Sequence, residues 1–166
     1  MLLFPPLRSG WARKGEPAEV MLSGFNARRV IFGAMNLRTG KRLFLVREHQ
    51  RSTDFQLFLK ALRSQYKHRP IALLLDEDPS HTAKGSVELA KQLDITLIWL
   101  PKRLPKLNPM DTLWGQAKDL INANRQYATI DKQAARFVAY LRRLTDKEAL
   151  HLAGVLSGKF WLRSAM

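Results

Sequence analysis

The sequence predicts an α/β domain in which an antiparallel hairpin and a parallel strand–helix–strand unit precede a helical C-terminal part. Three observations lead there. Two short apolar runs, Val30 to Met35 and Leu43 to Val46, flank the turn-forming stretch Asn36-Leu37-Arg38-Thr39-Gly40-Lys41, the pattern of a β-hairpin. Two continuous apolar runs, Ile71 to Leu75 and Ile95 to Leu100, bracket a helical pattern around 84–92, and such alternation favours parallel strands joined by a right-handed crossover. From about residue 109 onward the apolar residues return at helical spacing, so the last third of the chain is predicted to be helical.

Each element has its own local reason. Residues 1–26 carry Gly10, Gly15, Gly24, Pro5, Pro6 and Pro17, which predicts an irregular or short-stranded lead-in. After the hairpin, Ser52 or Thr53 is placed to cap a helix over 53–67, with Phe55, Phe58, Leu59 and Leu62 inward until His68-Arg69-Pro70 stops it. The unbroken runs at 71–75 and 95–100 read as strands buried on both faces of a sheet. Asn108 is a good N-cap and Pro109 suits the first helical position. The helix they start turns Met110, Leu113, Trp114, Ala117, Leu120 and Ile121 to one side. Thr129 caps a further helix, and Thr145-Asp146-Lys147-Glu148 has the form of a capping box for another. With 166 residues, 46% of them hydrophobic, and no internal repeat, the chain reads as a single domain over 1–166.

Composition narrows the function. Twenty-eight Lys and Arg face 14 Asp and Glu, a net charge of +14, with the bases spread along the chain. A polyanion is the natural partner of such a surface, because neutralised phosphates release condensed counterions. There is no cysteine, which excludes disulfides and thiolate zinc sites. The apolar runs are too short to span a membrane, and the opening Met1-Leu2-Leu3-Phe4-Pro5-Pro6 lacks the pattern of a signal peptide. The cytoplasm is therefore the expected location.

Against this basic background two acids stand out. Asp76 closes the first buried strand, at the carboxyl edge where α/β sheets gather their ligands. Asp111 falls in the first turn of the helix after the next strand, with the 34 residues 77–110 between the two. Two or three convergent carboxylates without His or Cys partners are hard oxygen ligands, suited to Mg²⁺ or Mn²⁺ rather than to zinc, and paired ions of this type serve in-line displacement at phosphodiesters. Each acid also has a structural reading: Asp111 as a helix N-terminal acid, Asp76 as a turn residue before Glu77-Asp78-Pro79. His81, five positions after Asp76, is an auxiliary candidate for orienting a carboxylate, water or phosphate. Lys102, Arg103 and Lys106, on the loop leading to Asp111, are candidate phosphate contacts. Trp99, Trp114, Phe55 and Phe58 fit apolar patterns and are read as core.

These residues resemble a family. Leu73-Leu74-Leu75-Asp76 with His81, then Ile98-Trp99-Leu100-Pro101 leading to Leu107-Asn108-Pro109-Met110-Asp111-Thr112-Leu113-Trp114, is similar to the catalytic core of mariner-like bacterial insertion-sequence transposases, the DDE superfamily endonucleases. Leu3-Phe4-Pro5-Pro6-Leu7-Arg8-Ser9-Gly10-Trp11-Ala12, Lys14-Gly15 and Phe32-Gly33-Ala34 extend the likeness over most of the chain. The resemblance implies an RNase H-like fold with a mixed central sheet flanked by helices, and three carboxylates that bind two divalent metal ions, Mg²⁺ or Mn²⁺, for strand cleavage and transfer at element ends. Asp76 matches the second carboxylate and Asp111 the third. The position of the first, on strand one, is expected before Met1, so strand one is expected to be largely missing and this chain alone to be a poor transposase. A catalytically silent DNA-binding or inhibitory remnant is the alternative. The implied partners are DNA at element ends and target, with a homo-oligomer or a full-length transposase as protein partner. Two departures from the family pattern, Glu77-Asp78 and Arg103-Leu104-Pro105-Lys106, mark a subgroup.

Overall fold

A computed structural model describes residues 1–9, 19–20, 22, 25–102, 104 and 107–162. The hairpin forms where the two apolar runs and the turn between them place it: β1 (Val30–Met35) pairs antiparallel with β2 (Arg42–Arg47), Val30 opposite Arg47 and Met35 opposite Arg42. The turn is closed by Asn36, whose side-chain oxygen accepts from the backbone of Arg38 and Thr39. Gly40 sits there at φ +78°, and a β-carbon on it would collide with the carbonyl oxygen of Asp146. Only glycine satisfies both demands.

The parallel unit follows. Helix α1 (Ser52–Gln65) leads to β3 (Ile71–Leu75), a short α2 (Pro79–Thr82), α3 (Lys84–Gln92) and β4 (Ile95–Trp99). β3 and β4 are parallel in register, Ile71 opposite Ile95 and Leu75 opposite Trp99. Among the described residues the four strands make two separate two-stranded ladders, β1–β2 and β3–β4.

Helices cover both sides of the hairpin. Phe32 packs with Phe55, Phe58 and Leu59 of α1 and with Leu75, Ala90 and Ile95. Met35 and Phe44 join a second cluster made by α4 (Pro109–Ala117), α5 (Ile130–Arg143) and α6 (Asp146–Leu152), through Leu113, Phe137, Leu141 and Leu150. Side chains as buried as Leu59, Leu113, Phe137 and Leu141 contribute about 1.5–3 kcal/mol each. Arg42 ties the hairpin to the α5–α6 corner: its guanidinium donates to the carbonyls of Gly40, Leu144 and Thr145 and pairs with Asp146 at 3.5 Å.

Three expectations are corrected. The cap of α1 is Arg51, one residue earlier than Ser52, because Asp54 at the third helical position receives the Arg51 backbone amide and closes a capping box. The strands β3 and β4 are covered on one face only: Ala72, Thr96 and Ile98 are exposed, since both α1 and α3 pack on the opposite side with Ile71, Leu73, Ile95 and Leu97. The helical face starting at Asn108 does not continue to Leu120. After Ala117 the chain makes a π-helical turn, Lys118–Asn122, which leaves Leu120 65% exposed and buries Asn122 instead. The extra residue per turn rotates the pattern. The Thr129 cap and the Thr145–Glu148 capping box form as read from the sequence.

Asp54 is 6% exposed and takes the Arg47 Nε–H at 2.6 Å. The hydrogen bond from Arg47 holds its carboxyl below the ordinary range, against the opposing effect of burial. A depressed folded-state pKa means stability that is present above the ordinary carboxylate range and lost as pH falls through the folded value. Asp54→Asn should therefore cost about 1.5–3 kcal/mol at pH 7, and urea titrations repeated at decreasing pH should show the gap from the parent closing in acid. Gly40→Ala should cost at least about 1–3 kcal/mol from backbone strain, with the Asp146 clash added, read as a lower thermal midpoint.

Candidate active site

The carboxyl end of β3 and the first turn of α4 meet at one cleft of about 690 Å³, lined by Asp76, His81, Asn108, Asp111 and Lys118 among others. Asp76 is there because β3 ends at Leu75 and the chain turns outward. Asp111 is there because Asn108 caps α4, its side-chain oxygen accepting from Met110 N at 3.1 Å, with Pro109 at the first position. The helix is held down by Trp114, one turn on, whose ring lies where a β-carbon of Gly33 would be, 2.7 Å from that point. Trp114 stacks on Phe137 at 5.7 Å and meets Phe44 edge-on. The glycine of β1 thus sets the height of Asp111 above the hairpin.

The two acids feel each other. Burial pushes the pKa of Asp111 above the ordinary carboxylate range, and the charge of Asp76 pushes it further, with Lys118 acting in the opposite direction. Although the residue as a whole is exposed, its carboxyl is partly desolvated by the cleft. Asp76 is oriented by His81, whose Nδ1 lies 2.9 Å from Asp76 Oδ1 and 3.2 Å from its carbonyl oxygen. Both partners only accept, so Nδ1 carries the proton. The imidazole is fixed from below by Phe55, with ring centroids 4.4 Å apart.

The neighbouring acids are already engaged. Burial raises the Asp78 pKa, but hydrogen bonds from the Ser80 side chain and backbone, with Gln50, outweigh it and hold it low. Asp78 caps α2 through Ser80 N at 2.8 Å and accepts from Gln50 Nε2 at 2.8 Å. Glu77 pairs with Lys102 at 2.9 Å, and that bond raises the lysine's pKa. Lys102 therefore faces an acid of the same edge. Arg103 and Lys106 lie outside the described residues, as do Gly10-Trp11-Ala12 and Lys14-Gly15. Sequence reading missed Lys118, which shares a helix face with Asp111 and Trp114 at spacings of three and four. That periodicity was the available signal. Gln50 and Asn108 also line the cleft.

Two carboxylates lining one cleft, with a charge repulsion that a cation relieves, are the kind of oxygen donors a hard divalent cation takes. Asp76 and Asp111 are the residues that could hold one. Among the described residues no group of three or more His, Cys, Asp or Glu is placed to hold a metal ion.

The family model described as DDE superfamily endonuclease matches residues 3–133. The chain belongs to this DDE family. It is 25% identical over 130 residues to an insertion element IS630 39 kDa protein of Shigella sonnei, covering 77% of this chain and 38% of that one. It is 30% identical over 118 residues to protein y4pE/y4sA of Sinorhizobium fredii, covering 70% and 85%. With the Tc3 transposase of Caenorhabditis elegans it shares 26% over 106 residues, 61% of this chain and 32% of that one. The DDE domain superposes on the Mos1 mariner paired-end complex with Mn at a TM-score of 0.70 and 17% identity, over 96% of this chain and 51% of that one. With the isolated Mos1 catalytic domain the TM-score is 0.56 at 15% identity, over 71% and 64%. The fold is RNase H-like, as the resemblance implied. The chain spans about two fifths of the insertion-element relative and half of the Mos1 chain.

Asp111 carries a pKa raised above its unfolded value, so its ionised form costs stability above the folded pKa and the cost disappears below the unfolded one. In chelator-treated buffer Asp111→Asn should raise the thermal midpoint at pH 7 and leave it unchanged near pH 3. Calorimetric scans of both proteins at the two pH values check this.

Proposed function

We propose that this DDE domain is the catalytic part of an insertion-sequence transposase and acts in divalent-metal-dependent cleavage and transfer of DNA strands, with Asp76 and Asp111 as cation ligands. The observation that carries the reading is the convergence of these two carboxylates, repelling one another, at the carboxyl end of β3 in a chain of net charge +14. The relatives support it: one is named a transposase and others come from an insertion element or from mariner complexes solved with a transposon end or with Mn.

The chain's own residues have separable tasks. His81 holds Asp76 in one orientation, so its outward oxygen is presented to the cleft. Asp111, on the rigid first turn of α4, supplies the facing carboxylate. Lys118 offsets part of their charge and is placed to meet a phosphate oxygen. Lys102, released from Glu77, would bind DNA backbone together with Arg103 and Lys106, giving affinity that weakens with salt. A bound Mg²⁺ or Mn²⁺ would polarise the phosphodiester and favour deprotonation of an attacking water or 3′-hydroxyl. Two carboxylates make a weak site for such an ion, and full activity is proposed to need a further acid beside them.

Thermal unfolding with and without 10 mM Mn²⁺, approximately saturating for a weak site, tests the reading. The parent chain should gain stability by mass action, and Asp76→Asn and Asp111→Asn should each abolish most of the gain. An equal gain in all three proteins, or none in the parent, would contradict it. Salt-sensitive binding to duplex DNA without any metal response would assign the silent DNA-binding role instead.

A further inference from the structure

Trp161 is a tryptophan that neither core uses. Trp114 is packed between Phe44 and Phe137, whereas Trp161 keeps 41% of its surface exposed and belongs to neither apolar cluster. The segment that carries it is nonetheless tied down. After α6, Gly154 adopts φ +74° and Val155 N donates to Leu150 O at 3.0 Å, which closes the helix end with Val155 buried. Phe160 then packs against the cluster under α4 and α5. Trp161 follows directly and donates its indole N–H to the carbonyl oxygen of Leu107 at 3.1 Å. The two rings lie 5.9 Å apart between centroids and are tilted by 49°, so one ring anchors the segment while the other is presented outward.

Its anchor places the indole beside the acids. Leu107 directly precedes Asn108, the cap of α4, and from Asn108 to Asp111 the helix rises by only about 4.5 Å. Trp161 lines the same cleft as Asp76, Asp111 and Lys118, and Lys159, two residues before the ring, is exposed. A tryptophan has an apolar body and one polar tip. Here the tip is spent on Leu107, so the group left open to a ligand is the face of the ring. A face held in one orientation before binding loses little freedom when a flat partner settles on it.

Nucleobases are the flat partners that a DNA-acting cleft meets, and an aromatic face flanked by cations is the combination that holds single-stranded nucleic acid without reading its sequence. A base inside a duplex is stacked on both sides and has no face to offer, whereas an unpaired one has. We propose that Trp161 is a stacking platform for the base of an unpaired nucleotide beside the phosphodiester brought to Asp76 and Asp111, with Lys118 and Lys159 as the cations that meet its phosphates. The inference rests on the reading of the domain as DNA-acting and adds to it a preference for DNA with an unpaired end over blunt duplex. It uses no metal, so it is tested in chelator, apart from the Mn²⁺ response of the two acids.

The test measures binding of the parent, Trp161→Ala and Trp161→Phe to a blunt duplex and to the same duplex with a short unpaired adenine tail, by fluorescence anisotropy over a range of salt. The parent should prefer the tailed DNA. Trp161→Ala should bind it at least about fivefold more weakly while its affinity for blunt duplex and its salt slope stay unchanged, since a stacking face and no charge has been removed. Trp161→Phe, which keeps a ring but not the N–H, should stay within about twofold of the parent on both DNAs. A 2-aminopurine placed in the tail should be quenched on binding to the parent, a readout that holds even if Trp161→Ala fails to fold. The platform is overturned if the parent shows no preference for the tail, if Trp161→Ala loses affinity equally for both DNAs, if Trp161→Phe falls as far as Trp161→Ala, or if the 2-aminopurine signal does not change. Those outcomes leave the DNA-acting reading standing, whereas failure of the parent to bind either DNA overturns both.

Discussion

Both cores of this domain rest on the two faces of one hairpin. Because side chains alternate along a strand, β1 sends Phe32 to the cluster under α1 and Met35 to the cluster under α4 and α5, while β2 adds Phe44 to the second. The cluster under α1 also takes in β3 and β4, whereas the cluster under α4 and α5 has the hairpin as its sheet. The register of six consecutive pairs is thus what places α1 and the helical C-terminal part on opposite sides, and a one-residue slip would exchange the two faces. The Arg42 contacts at the α5–α6 corner and the bidentate Arg29–Asp131 pair, at 2.7 and 3.0 Å, lock the hairpin to the same helices.

The position of the acids is a consequence of that arrangement. Asp76 is fixed by where β3 stops. Asp111 is fixed by Asn108 and Pro109 at the start of α4, and by the seating of Trp114 on Gly33. A larger residue at position 33 would lift the indole and with it the first turn of α4. The height of one carboxylate over the sheet is therefore written in a strand residue some eighty positions earlier in the sequence, and this is how a glycine in the Phe32-Gly33-Ala34 string bears on the site without touching it.

Much of this was legible in the sequence because it is local. Two apolar runs around a turn signal pointed to the hairpin, unbroken apolar runs pointed to β3 and β4, and Asn108-Pro109 and Thr145 to Glu148 marked helix starts through backbone chemistry that needs no tertiary partner. What failed was set at a distance. The one-sided burial of β3 and β4 depends on which helices reach them, the π turn at Lys118–Asn122 breaks a periodicity that continues smoothly in the letters, and the Arg51 cap competes with a more typical Ser52. At the site, Asp76, Asp111 and His81 were visible as residue types at a strand end and a helix start. The pairing of Lys102 with Glu77 and the place of Lys118 in the cleft depended on contacts between residues distant in sequence.

The distribution of charge around that edge argues for a purpose beyond stability. Four acids gather there, and the fold disposes of two: Asp78 is consumed by Ser80 and Gln50, and Glu77 by Lys102. Asp76 and Asp111 are left facing one another, although the chain has 28 basic residues with which a stabilising pair could be made. Lys118 only reduces the repulsion, and His81 aims Asp76 without removing its exposure, which stays at 70% for the side chain. Selection for stability alone would relieve such a pair, since a like-charge contact costs in the folded state what a neutral or opposite residue would not. Under the proposed function this repulsion would be relieved by a divalent cation, the direct source of charge for hard oxygen donors.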